Sequence, residues 1–88
     1  MKILSNNIAV LEGDTHISAW VQEHGTLEIA KDMLLPFQKY IPKGGTVIDV
    51  GASIGDHTIT YADWVGPTGL VAAFEVNPRA YECLEHNT

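Results

Sequence analysis

The amino-acid sequence predicts an α/β fold: the front part of a parallel sheet, with one βαβ unit and the helix that follows it, preceded by a β-hairpin and a helix. Three observations predict it. An apolar run, Thr46-Val47-Ile48-Asp49-Val50, enters a glycine turn, Gly51-Ala52-Ser53-Ile54-Gly55. A second run, Leu70-Val71-Ala72-Ala73-Phe74, is short and almost wholly apolar, as a parallel strand covered on both faces should be. It ends on Glu75, 20 residues beyond Gly55, and Asn77-Pro78 then opens another helix. Strand, glycine turn, helix, strand and terminal acid are the layout of a nucleotide-type cofactor site in a Rossmann-like sheet.

The elements follow in order. Residues 3–11 and 16–22 read as the two strands of the hairpin. In the second, Ile17, Ala19 and Val21 alternate with Ser18, Trp20 and Gln22. Glu12-Gly13-Asp14-Thr15 supplies the turn between them. Thr26 caps a helix that runs to about Ile41, with Leu27, Ala30, Leu34, Phe37 and Ile41 on its apolar face. Pro36 lacks an amide donor, so a kink or break is expected after Leu34. Pro42-Lys43-Gly44-Gly45 ends that element and leads into the strand Thr46–Val50. A helix over about 56–65 leaves the glycine turn and stops at Gly66-Pro67. The last helix, from Pro78, is expected to turn Tyr81 and Leu84 inward.

Two regions result: residues 1–25 as an N-terminal hairpin region, and 26–88 as the N-terminal part of a Rossmann-like cofactor-binding domain. Two parallel strands cannot close such a sheet. The expectation is therefore an incomplete domain, truncated or in need of a partner chain, with unpaired strand edges open to homo-oligomerisation.

Composition narrows the function. Eleven acids against five scattered bases leave a net charge of −6, which argues against a nucleic-acid or anionic-membrane partner. The N-terminal residues lack the apolar core of a signal peptide, and no run approaches the ~18 apolar residues of a membrane span. A cytoplasmic location is the resulting expectation. Cys83 is alone, so no internal disulfide forms. It reads as a small apolar residue on a helix face. No Cys/His spacing suggests a metal site. His16, His24 and His86 read as solvated, and Trp20, Trp64 and Phe74 as core or edge aromatics.

The turn itself points to a cofactor. In a dinucleotide fingerprint the middle glycine lets the backbone approach a pyrophosphate. Here that position is Ser53, whose Cβ would crowd it, and Asp49 would repel phosphate oxygens. Both features disfavour NAD and FAD. They suit S-adenosylmethionine, which has no phosphate and carries a cationic ammonium and sulfonium that Asp49 attracts. Its carboxylate finds amides at the start of the 56–65 helix. Glu75, at the strand tip, is placed to accept both ribose hydroxyls. Asp56 reads equally as an acid stabilising a helix N-terminus. Thr58 is a candidate contact because its hydroxyl donates, and a better one than its neighbour His57.

At these residues the chain resembles the FkbM-type family of class I S-adenosylmethionine-dependent methyltransferases. Val47-Ile-Asp-Val-Gly-Ala-Ser-Ile-Gly-Asp-His-Thr58 is similar to that family's first motif, a D-V-G-A-[NS]-x-G run. Val65-Gly-Pro-Thr-Gly-Leu-Val-Ala-Ala-Phe-Glu-Val-Asn-Pro78 is similar to its second, commonly G-x-V-x-x-F-E-P-N-P. Val76 departs from the proline usual after the acid. The resemblance covers about residues 17–88. It implies Asp49, Gly51, Ala52, Ser53 and Gly55 around the methionyl part, Glu75 on the ribose, and Glu28 near the amino group. It also implies O-methylation of a small molecule or sugar, and a longer chain that completes the adenine pocket and the acceptor site.

No residue is assigned as general base, because methyl transfer from a sulfonium needs mainly proximity and alignment. Two other readings remain open: a non-catalytic fragment that associates with another chain, and a nucleotide-binding oxidoreductase fragment.

Overall fold

The expected hairpin of residues 3–11 with 16–22 does not form, and a smaller one folds within residues 2–10 instead. In the computed structural model, which describes all residues from Met1 to Thr88, β1 (Lys2–Ile3) pairs antiparallel with β2 (Ala9–Val10). Lys2 lies opposite Val10 and Ile3 opposite Ala9. The Asn7 amide donates to the Leu4 carbonyl at 2.9 Å and closes the connection.

The expected second strand does not form. Residues Ile17–His24 are a helix, α1. Ile17 and Val21 are four residues apart, so the alternation that suggested a strand is also half of a helical stripe. The ends decide between the two. The Asp14 carboxylate accepts the amides of His16 (2.9 Å) and Ser18 (2.8 Å), which occupies two of the unpaired donors of a helix start. Gly25 closes the other end in the left-handed conformation (φ 70°, ψ 20°), its amide donating to the Val21 carbonyl. Burial tends to push the Asp14 carboxyl up, but the Ser18 and His16 amides outweigh it and hold it below its ordinary value. Ser18 and Val21 are buried, and the Ser18 hydroxyl accepts the Leu11 amide at 2.9 Å.

The expected helix from Thr26 to Ile41 is broken and shorter. The Thr26 hydroxyl accepts the Glu28 amide in a turn (3.2 Å). A single α-turn, α2 (Lys31–Leu34), follows, and Leu35–Tyr40 continue as a 3₁₀ segment. The break falls after Leu34, where Pro36 removes an amide from the α ladder. Leu27, Ala30 and Leu34 are buried as the stripe predicts, whereas Phe37, beyond the break, is 56% exposed.

The second half agrees closely with its pattern. Strand β3 (Thr46–Val50) leads through the glycine turn into α3 (Thr58–Val65), then β4 (Leu70–Phe74) and α4 (Pro78–Asn87). The helix α3 starts two residues later than expected. β3 and β4 pair in parallel, Thr46 opposite Leu70 and Val50 opposite Phe74. At the return from α3, a Cβ on Gly69 would collide with Val65, so only glycine fits there. Asn77 caps α4, its side chain accepting the Arg79 amide at 3.0 Å. Ala80, Cys83 and Leu84 face inward, and Tyr81, expected inward, is exposed.

The main core joins Ala9 and Val10 of β2, Val21 of α1, Leu27, Ile54 of the glycine turn and Cys83 of α4. Ala30, Leu34 and Trp64 form a smaller cluster. Trp64 is thus a core aromatic, and Trp20 is half-buried and stacks on His24 with ring centroids 4.0 Å apart. α3 lies against one face of the sheet. The other face, bearing Ile48, Val50, Leu70 and Phe74, is open, with Val50 79% exposed. No helix is long and apolar enough to cross a membrane.

Candidate functional site

The site grows from the place where β3 ends. Val50 pairs with Phe74, and the chain then turns across the tip of β4. The amides of Gly51 and Ala52 both donate to the Phe74 carbonyl, at 2.9 and 3.0 Å. The crossing demands unusual backbone: Gly51 has φ +78° and Gly55 φ +102°, conformations that L side chains rarely adopt. At Gly55 a side chain would also meet the Leu84 methyl at 3.3 Å, so α4 packs closely against the turn there. Between the two glycines Ser53 takes φ +54° without being glycine. Ala52 and Ile54 are buried beneath the turn.

Two candidate pairs meet directly. The Ser53 amide donates to Glu75 Oε1 at 2.7 Å, across 22 residues of sequence. Glu75 Oε2 accepts the Asn77 amide at 3.0 Å. These bonds, Asn77 first and Ser53 next, hold the Glu75 carboxyl below its ordinary value against the opposing effect of burial. The second pair lies below the turn, where the Thr58 hydroxyl donates to Asp49 Oδ2 at 2.6 Å and both residues are buried. Asp49 Oδ1 makes no hydrogen bond, so one acceptor of a buried carboxylate stays open.

A second buried acid lies within electrostatic reach of Asp49. Asp56 is buried, with His57 Nε2 at 3.6 Å from its carboxylate. Desolvation pushes the Asp56 carboxyl up, His57 partly offsets this, and the charges of Asp49 and Asp14 add to the rise. Burial therefore outweighs any benefit from the nearby helix start. Burial and the same carboxylates, Asp49 and Asp56, raise the Tyr61 phenol. The amides of Ile54 and His57, just before α3, make no hydrogen bond within the chain.

Glu28 lies apart from this group. It is exposed and pairs with Lys31 at 3.3 Å, with no hydrogen bond or ion pair to the glycine turn. Cys83 is buried in the core, its thiol pushed up by desolvation, in keeping with a packing role. His24 and His86 are exposed, and each ring contacts a backbone carbonyl, of Trp20 and Asn7 respectively.

One residue at the site escaped the sequence. Asn87, at the end of α4, accepts the Ala9 amide (2.8 Å) and donates to the carbonyls of Ala9 (2.9 Å) and Ile54 (2.8 Å). It ties the hairpin and the glycine turn to one helix end. Its position near the end of α4 carries no local signal for that, because its partners lie 78 and 33 residues away.

Comparison with family models, with curated proteins and with solved structures found no match.

Proposed function

We propose that this chain is the cofactor-binding portion of an S-adenosylmethionine-dependent methyltransferase with a Rossmann-like sheet, acting on a hydroxyl of a small molecule or sugar. The observation that carries the reading is that Glu75 meets the Ser53 amide at one strand tip while the buried Asp49 meets Thr58 at the other. Two carboxylates thus stand at the carboxyl ends of the paired strands, next to the glycine turn. Carboxylates at both tips repel phosphates and attract a cation.

The donor set suits the cofactor part by part. The open oxygen of Asp49 would take the methionyl ammonium. The amides of Ile54 and His57 would take its carboxylate, in the manner of a helix start binding an anion. Glu75, already fixed by two amides, has lone pairs left for the ribose diol. When bound, S-adenosylmethionine supplies an activated methyl group for in-line displacement by an acceptor oxygen. The chain's residues contribute binding and alignment, the terms on which such a displacement chiefly depends. None of them is assigned as general base.

A second reading has its own support. The open sheet face with Ile48, Val50, Leu70 and Phe74 suits a non-catalytic chain that associates with another. An oxidoreductase fragment is disfavoured by the Ser53 side chain and by Asp49. Calorimetric titrations with S-adenosylhomocysteine and with NAD separate the three. The proposal expects saturable binding of the first and none of the second. Binding of NAD alone would overturn it, and binding of neither would favour the association reading.

A further inference from the structure

We propose that Glu75 is a positioning residue, a latch that holds the glycine turn in its left-handed shape from the tip of the neighbouring strand. The inference deepens the cofactor reading above and depends on it only where a ligand is concerned.

Three observations support the latch. Ser53 sits at φ +54° although it is not glycine, a conformation that L residues rarely adopt. Such a conformation persists only where its surroundings hold it. The Glu75 bond of 2.7 Å is the hydrogen bond its amide makes. The same carboxylate is anchored at its other oxygen by the Asn77 amide, at the mouth of α4. The turn thus hangs from the tip of β4 at two points, the Phe74 carbonyl for Gly51 and Ala52 and the Glu75 carboxylate for Ser53.

The chemistry asks for an acid here even without a ligand. Two backbone N–H groups approach two different oxygens of one side chain, so both ends must accept. A carboxylate does this and retains about two further lone-pair sites. The isosteric amide offers one acceptor and one donor, so Glu75→Gln sets its NH₂ against a backbone N–H and loses a bond. Glu75→Asp is a methylene short of spanning both amides. On the cofactor reading, the remaining lone pairs reach a vicinal diol already oriented, and loss of the latch weakens binding through the turn as well as through the contact.

Amide hydrogen exchange of the whole ¹⁵N-labelled chain tests this without any ligand. The Ser53 and Asn77 amides should be protected in the wild type. Glu75→Ala should speed exchange at both by about tenfold or more, the loss of one charge-assisted bond each. Glu75→Gln should do so for at least one. Interior amides of α3 and α4 should not change in either variant. Equal Ser53 exchange in wild type and Glu75→Ala would overturn the latch. For the ligand, Ser53→Gly in the Glu75→Gln background removes the left-handed cost and should recover part of the affinity for S-adenosylhomocysteine lost in Glu75→Gln. No recovery, with Ser53 exchange already shown to depend on Glu75, would overturn the coupling of latch to ligand. Failure of the wild type to bind S-adenosylhomocysteine would overturn the cofactor reading and leave the exchange result as the test of the latch.

Discussion

At the scale of single residues, the site is a contest between burial and hydrogen bonding, and its two outer acids end on opposite sides. Glu75 gains two amides and stays charged more readily than a free carboxylate. Asp56 is buried with a His57 ring nitrogen no nearer than 3.6 Å, and its charged form is disfavoured. The linkage follows from the direction of each shift. A carboxyl raised in the folded state contributes stability that is complete below its unfolded value, near 3.8, and that is lost as pH rises through the folded value. Asp56→Asn removes that loss. Its thermal midpoint should exceed the wild type's at pH 7, and the gain should vanish as pH falls below the ordinary carboxyl range. Thermal melts across pH check this. A variant less stable than wild type by the same amount at every pH would contradict it. For Glu75 the sign reverses: its contribution is present above the unfolded value, near 4.5, and is lost as pH falls through the lower folded value.

At the scale of elements, legibility follows how locally each decision is made. β3, the glycine turn, β4 and the Asn77 cap were legible because their signals are adjacent in sequence: apolar runs, glycines that must take positive φ, a cap beside a proline. α1 is ambiguous in sequence because Ile17 and Val21 satisfy a period of two and a spacing of four at once. The arbiters were Asp14 and Gly25, a donor-binding acid and a left-handed terminator, and both are visible in sequence as helix ends. The shortened α2 shows the converse. The Leu27–Ala30–Leu34 stripe is real, yet it is carried by a turn and a single helical turn, not by one continuous helix.

Within the candidate site, the placing of Asp49, Ser53 and Glu75 about the glycine turn was legible, but their bonds to Thr58 and to the backbone were not. An acid at a strand tip reads as a ligand contact, and nothing local says that it also serves its own chain. Asn87 was illegible for a stronger reason, since only the folded chain brings Ala9 and Ile54 to it. Two of its three bonds serve the backbone of Ala9, which is fully buried, and the third serves the Ile54 carbonyl. Asn87→Ala should cost about 2 kcal/mol, because Ala9 would keep a buried amide and carbonyl without partners. A urea-unfolding midpoint series measures it, and a cost under about 0.5 kcal/mol would contradict the clamp.

At the scale of the whole molecule, the chain is half dressed. Its accessible surface is 5571 Å², against about 5100 Å² expected of a folded monomer of 9.6 kDa. A parallel sheet is ordinarily covered on both faces. Here α3 covers one, while Ile48, Val50, Leu70 and Phe74 leave an apolar stripe open on the other. The tips of the strands nevertheless meet in an ordered arrangement. The glycine turn is tied to Phe74 and Glu75 of the neighbouring strand tip, and to α4 through Asn87. The cofactor account depends on that tip geometry and not on the open face, so the two are separable by experiment.

The most direct measurement is a titration of the ¹⁵N-labelled chain with S-adenosylhomocysteine, followed residue by residue. The account predicts saturable shifts at Gly51, Ser53, Ile54, Gly55, His57, Glu75 and Val76, and none of comparable size at Ile48 and Leu70 on the open face. Shifts absent from the glycine turn, or produced there by NAD and not by S-adenosylhomocysteine, would contradict it.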